Sequence, residues 1–314
     1  MLQVVSVSLG SASRDTDQVI TLLDREVRVR RVGVGGDLKR ARELISELDG
    51  QVDAFGLGGI DLYVSVRGRR YYFRDAVNLA RAAKRTPVVC GAGLKDSLER
   101  LTVRALEERL DLQRRDVLMV SAVDRFGMAE ELHARARSVL FGDLIFALGL
   151  PIPVRSIGAL ERLAHTLMPV ISKVPFKWLY PVGEAQEKAP VPEKFARYYR
   201  EVDILAGDWH YIRRYAPRDL AGKVLLTNTT TAADLEFMRQ RGVSLLITTT
   251  PRFNGRSLGT NLLEAALVAT EGASGELSSG RYVELIEQAG IVPTVADLRP
   301  DSGGSVPDAK IVPT

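Results

Sequence analysis

At 314 residues, 46% of them hydrophobic, the chain is long enough for two domains with well-formed cores. Its net charge of +4 comes from arginines interleaved with acids, as in DREVRVRR and RALEERLDLQRR, and only 6% of residues are aromatic; that pattern argues against a nucleic-acid surface. One cysteine, Cys90, rules out an internal disulfide or thiolate cluster, and His133, His165 and His210 lie too far apart in sequence to suggest a metal pair, so no metal is expected.

The N-terminal stretch MLQVVSVSLG lacks the basic start and long apolar run of a signal peptide. No apolar run reaches the roughly 18 residues of a membrane span. The expectation is a cytoplasmic protein with a small-molecule substrate and no membrane partner.

In chain order, VVSVSL (4–9) reads as a buried strand and DTDQVITLLD (15–24) as a helix. EVRVRRVGV (26–34) alternates like a strand. DLKRARELISEL (37–48) is an amphipathic helix with Asp37 as N-cap and Leu38, Ala41, Leu44, Ile45 and Leu48 on one face. Then come a strand at 52–59, a helix at 71–84, a strand at 86–93 and a helix at 96–110. The order restarts with a strand at 116–123, a helix at 124–136 and a strand at 138–143. A proline-broken region, 144–200, contains the helical GALERLAHTLMPVISKV; its FALGLPIPV and FKWLYPV segments suit either a homodimer interface or core. Strands at 203–208, 222–228 and 243–251 follow, with helices at 232–242, 258–270 and 279–290.

This alternation predicts an α/β chain of two parallel-sheet, three-layer domains, the second Rossmann-like. The expected units are 1–112 (substrate type), 113–298 (nucleotide-binding type) and a flexible tail, 299–314.

In open parallel sheets, ligands bind beyond the carboxyl ends of the strands, so the turns there carry the candidate sites. SAVDRFGMAEE (121–131) stands where a dinucleotide-binding turn would, though with one glycine instead of three. Gly127 and Ala129 allow close packing, Asp124 sits at the helix start, and Asp143 ends the next strand, where an acid holds the ribose of NAD. FGLGGIDLYV (55–64) offers Asp61 as a general base or hydroxyl anchor, the bland reading being a cap. CGAGLKDSLE (90–99) offers Lys95 for proton transfer, with Asp96 or Ser97 as N-cap. AGDWHYIRRY (206–215) offers His210 for acid–base chemistry, and Asn228 and Thr229 on the next strand end suit the same cleft. TTTPRFNGRSLGTN (248–261) packs four threonines, two arginines and two asparagines between a strand and a helix. Thr249, Thr250, Gly255 and Arg256 are its cofactor-binding candidates.

The runs FGLGGIDLY, YYFRDA, DRFGMAEEL, FGDLIFALGLPIP, AGDWHYIRRY and TTTPRFNGRSLGTN resemble, over nearly the whole chain, a bacterial family named quinate 5-dehydrogenase, within the quinate/shikimate 5-dehydrogenase and glutamyl-tRNA reductase group. The resemblance implies an NAD- or NADP-dependent oxidoreductase acting on a cyclic hydroxy acid, with Lys95 and Asp61 handling the hydroxyl proton. ITTTP (247–251) is similar to that group's turn beside the nicotinamide. The absent glycine turn leaves a second expectation: a non-redox Rossmann-like protein that binds a phosphorylated metabolite.

Overall fold

The computed structural model describes residues 1–175, 195–253 and 256–300. Its first lobe contains β1 (Leu2–Ser8), β2 (Thr16–Leu22), β3 (Arg25–Gly33), β4 (Ala54–Gly58), β5 (Tyr63–Val66), β6 (Arg69–Tyr72) and β7 (Val88–Val89). Among the described residues these form a five-stranded sheet in the order β2-β3-β1-β4-β7, plus the β5–β6 hairpin. All pairings in the sheet are parallel except the edge pair β2–β3.

Side chains alternate across this sheet. Val5, Val7, Phe55 and Leu57 pack on α1 (Leu38–Leu48) and α2 (Arg74–Ala80). Val4, Val27, Val29 and Ala54 face the other way. Helix α1 forms as its pattern predicts: the Asp37 carboxylate accepts from the Lys39 and Arg40 amides, and Ala41, Leu44 and Ile45 are buried.

Chain connections follow through α3 (Ala92–Ala105) and α4 (Glu107–Leu110) into the second lobe. Its strands are β8 (Asp116–Met119), β9 (Ser138–Phe141), β10 (Ile204–Ala206), β11 (Val224–Thr227) and β12 (Leu245–Thr248). Two short strands, β13 (Arg252–Phe253) and β14 (Arg256–Ser257), pair only with each other, and β15 (Thr294–Asp297) runs antiparallel to β12. Among the described residues the second sheet is six-stranded, in the order β15-β12-β11-β10-β8-β9.

The helices of this half are α5 (Phe126–Arg135), α6 (Asp143–Phe146), α7 (Ile157–Ile171), α8 (Ala196–Arg200), α9 (Trp209–Tyr215) and α10 (Ala232–Arg239). Val117 and Met119 pack with α5 and α7, while Leu118 and Val120 pack with Tyr199, Trp209 and Met238. The protein therefore has two α/β lobes, each with a sheet of mainly parallel strands between helical layers.

The last two helices, α11 (Thr260–Glu271) and α12 (Ser279–Gln288), do not stay with the second sheet. Leu262, Leu263, Ala266, Tyr282 and Leu285 share a core with Val4, Val27 and Val29 of the first. Residues beyond the expected boundary at 112–113 thus complete the first lobe, and β15 returns to the second. Family of expectation and structure differ in smaller ways too. Residues 15–24 form β2 and a turn, not a helix: Ile20 and Leu22 are buried while Val19 is 50% exposed. Leu23 (φ 50°) and Asp24 (φ 58°) then make a two-residue hairpin turn. Tyr71 and Tyr72 belong to β6, so the helix expected at 71–84 begins only at Arg74.

Among the described residues no helix is long and apolar enough to cross a membrane. In FALGLPIPV, Phe146 is buried but Leu148, Leu150 and Ile152 are exposed. FKWLYPV and positions 301–314 of the expected tail lie outside the described residues.

Candidate functional site

The carboxyl ends of β1, β4, β8, β10 and β11 and the first turn of α11 converge on one cavity of about 530 Å³. Both sheets therefore direct to one place the ends where parallel strands bind ligands. Three predicted residues meet there. The Lys95 ammonium lies 2.8 Å from Asp124 Oδ1 and 3.3 Å from Asp61 Oδ2. Lys95 comes from the first turn of α3, Asp61 from the loop after β4, and Asp124 from the 3-10 turn Val123–Arg125 that precedes α5.

Burial raises the Asp61 carboxyl, Lys95 opposes that and neighbouring Asp124 adds to it, leaving Asp61 pushed up to about 7. Burial also acts to raise Asp124, but Lys95 and Arg125 outweigh it and hold Asp124 well below the usual carboxylate range. Lys95 loses charge stability to burial and regains more from the two aspartates, so it stays protonated. Asp61 retains 31% of its side-chain surface, enough to meet a ligand in the cavity.

The raised Asp61 sets a pH dependence. Its folded-state pKa, about 7, exceeds the ordinary 3.8, so the folded state holds the proton more tightly. The stabilising contribution is fully present below the ordinary value and is lost as pH rises through the folded one. Asp61→Asn should gain stability relative to the native protein between pH 4 and pH 7.5. Urea unfolding across that range checks this, and a constant difference would refute it.

Next to this cluster, Arg125 forms an ion pair with Glu99 of α3 and lies 3.6 Å from Asp208 Oδ2. Asp208 caps α9 by accepting from the His210 amide at 2.9 Å, and Asn228 Nδ2 donates to it at 3.0 Å. His210 lines the cavity, as expected of it, with Nε2 3.2 Å from Arg14 Nη1; burial holds its pKa below the ordinary value. Asn228 and Thr229 line the cavity as well, and Thr231 caps α10 in a capping box with Asp234.

Of the remaining predicted residues Asp143 also lines the cavity, and the others take other places. Asp143 Oδ1 accepts from the Ala122 and Val123 amides at 3.0 and 2.9 Å. A carboxylate thus occupies the amides that a pyrophosphate would need in a dinucleotide-binding turn. Gly127 is a packing glycine: a Cβ there would stand 2.3 Å from Asp96 Oδ1. Asp96 pairs with Arg100 at 3.2 Å and does not cap α3, whose N-cap is Gly91. Thr249 and Thr250 are buried, and the Thr249 amide donates to the Thr227 carbonyl. Gly255 lies outside the described residues, as does the Arg256 side chain.

Between Thr248, the end of β12, and Thr260, the start of α11, the chain returns to the first lobe. The polar residues of TTTPRFNGRSLGTN accordingly act in part as internal partners: Thr248 Oγ1 donates to the Thr250 carbonyl, and Asn261 Nδ2 donates to Ser6 Oγ at 2.7 Å. Sequence reasoning missed Ser6, Ser8, Arg14, Arg31 and Asn261 as lining residues. Ser6, Ser8, Arg14 and Arg31 come from strands and turns far from any recognisable motif, whereas Asn261 ends TTTPRFNGRSLGTN at the start of α11.

No curated protein matches the chain. Similar solved structures include a galactofuranose binding protein, at 9% identity over 92% of this chain and 98% of that one, with a TM-score of 0.36. A sugar ABC transport substrate-binding protein from Bordetella parapertussis is 12% identical over 98% and 96%, with a TM-score of 0.39. An NAD-dependent malic enzyme from Thermotoga maritima is 11% identical over 87% and 72%, with a TM-score of 0.37.

The expected quinate/shikimate-type NAD(P) oxidoreductase is corrected by these findings. The similar structures named above are sugar-binding proteins and a malic enzyme. The turn meant for the dinucleotide is also closed by Asp143. The phosphorylated-metabolite alternative rested on TTTPRFNGRS, part of which lies outside the described residues. Residues 3–90 match the family model described as Domain of unknown function (DUF8753). Residues 93–298, more than half of the chain, match the one described as Domain of unknown function (DUF8754), and the chain belongs to that family.

Proposed function

We propose that the cavity between the lobes binds a small, electrically neutral, polyhydroxylated molecule and exchanges a proton with it at Asp61. The observation that carries this reading is the charge balance of the cavity. Among the described residues Arg14, Arg31, Lys95 and Arg125 line it, and so do Asp61, Asp124, Asp143 and Asp208. Four cations against four acids, one of them Asp61 with its pKa near 7, leave at most a small net charge to collect an anion. Donors and acceptors of both kinds, with Ser6, Ser8, Asn228 and Asn261 among them, suit hydroxyl groups, which both donate and accept. A volume of about 530 Å³ accommodates a ring of sugar or cyclitol size.

Asp61 is the proton-exchanging group because its pKa, about 7, lies near working pH, and Lys95 fixes its orientation. Lys95 itself remains a cationic anchor, since Asp61 and Asp124 hold its proton.

The test is thermal unfolding with a panel of free pentoses, hexoses and inositols. A ligand present at a hundred times its Kd stabilises the folded state by about 2.7 kcal/mol. The expected result is a midpoint raised by several degrees with at least one panel member and no rise in Lys95→Met. A flat response across the panel would end this reading.

A further inference from the structure

The second wall of the cavity narrows the class of ligand, resting on the reading just given. Leu163, Leu167 and Ile171 recur every four residues on α7, so they share one face of the helix. All three line the cavity and are only half-buried. The adjacent stripe on the same helix, Leu160, Ala164 and Met168, is buried in the core. Ala164 and Met168 of that buried stripe reach the cavity too, so this side of α7 presents leucine, methionine and isoleucine to it.

Leu144 and Leu148, in and just after α6, extend this wall. Leu148 is 50% exposed. The same cavity contains the Lys95 cluster, so it has a charged polar side and an apolar side. A bare sugar, hydroxylated around its ring, would leave the apolar side against water, which is unfavourable in proportion to the area left wet. A ligand with a polyhydroxylated head and an apolar substituent satisfies both.

We infer that the ligand is amphipathic: a polyol or sugar carrying an alkyl or aryl group, with the head on the Asp61–Lys95–Asp124 side and the apolar group on the Leu163–Leu167–Ile171 stripe. Glycosides and esters of polyols are the chemical class that fits.

Calorimetric titration with free, methyl and hexyl glycosides of glucose and galactose tests this. Each buried methylene strengthens binding about fourfold. The hexyl glycoside of whichever sugar binds should therefore exceed its methyl glycoside by at least about thirtyfold, even if only part of the chain is covered. In Leu163→Ser/Leu167→Ser that gain should fall below about threefold while methyl glycoside affinity stays within about twofold. Leu167→Ala, a milder change, should lower the gain by an intermediate factor and serves if the double variant does not fold.

Equal affinity of methyl and hexyl glycosides would overturn the inference and leave the polyol reading intact. A hexyl gain that persists in the stripe variants would overturn the placement on α7. Absence of binding by any free sugar or glycoside would overturn both the inference and the reading beneath it.

Discussion

Replacing Arg125 with methionine is expected to destabilise the protein by about 3–5 kcal/mol, the usual cost of stranding a buried charge. Arg125 is 4% exposed and Glu99 1%, and they pair across α3 and the turn before α5. Without the guanidinium, the Glu99 carboxylate would stand in a low-dielectric interior beside Asp124, with Lys95, already paired with Asp61 and Asp124, left to compensate it. Burial already raises Glu99, with Arg125 the main opposing influence, to about 7. Removing Arg125 raises it further, so the variant escapes by protonation.

The sign follows. A carboxyl with a raised folded-state pKa contributes stability at low pH and loses it as pH rises through that value. The deficit of Arg125→Met should therefore be smaller at pH 5 than at pH 8. Glu99→Leu combined with Arg125→Met should recover much of the loss, because well-packed apolar pairs often replace buried ion pairs at little cost. Urea unfolding of the single and double variants at both pH values is the measurement. A single-variant cost below about 1 kcal/mol, typical of an exposed pair, would refute the account.

The same pair explains why the site was only partly legible in the sequence. Glu99 and Arg125 each look like a surface charge on an amphipathic helix, and nothing local says that α3 and α5 bury them against one another. Lys95, Asp61, Asp124 and His210 were legible because each follows a strand end in a glycine-rich or polar turn, a local feature. Arg14 was not, because β2 was misread: Val19, Ile20, Leu22 and Leu23 satisfy a helical spacing as well as an alternating one, and only the pairing with β3 decides between them. Helix α1 shows the opposite case, where its cap and apolar face both lie within twelve consecutive residues, Asp37 through Leu48.

The crossing of α11 to the first lobe escaped for a different reason. From Leu262 to Thr270 every residue is buried, so no polar face indicates which sheet the helix covers. Its one buried acidic residue, Glu264, marks the place only in three dimensions. It accepts from the Gly91 and Leu94 amides at the start of α3 and from the Tyr282 hydroxyl of α12. A carboxylate that caps a helix from another element cannot be told from an ordinary exposed glutamate in a helical pattern.

That seat of α11 leads to the second large effect. Gly91→Ala should cost about 3 kcal/mol or more and Gly56→Ala about 2 kcal/mol or more, through strain and overpacking. Gly91 has φ +92°, and a Cβ there would lie 2.7 Å from the Asn261 amide nitrogen. At Gly56 the Cβ would lie 2.6 Å from the Asn261 carbonyl oxygen. Both contacts are to backbone at the first turn of α11, so neither is relieved by rotating a side chain. Gly35→Ala supplies the control: φ is +61° and nothing lies within 4 Å, so only the left-handed backbone is strained, at about 1 kcal/mol. Chemical unfolding of the three variants separates the two contributions, and equal costs at Gly91 and Gly35 would show that the close approach of α11 carries no energy. Because Asn261 lines the cavity and donates to Ser6, a displaced α11 should also weaken whatever ligand the cavity holds, whereas Gly35→Ala should leave affinity unchanged. The two glycines thus link the stability of the first lobe to the shape of the site, since the helix that closes one also forms a wall of the other.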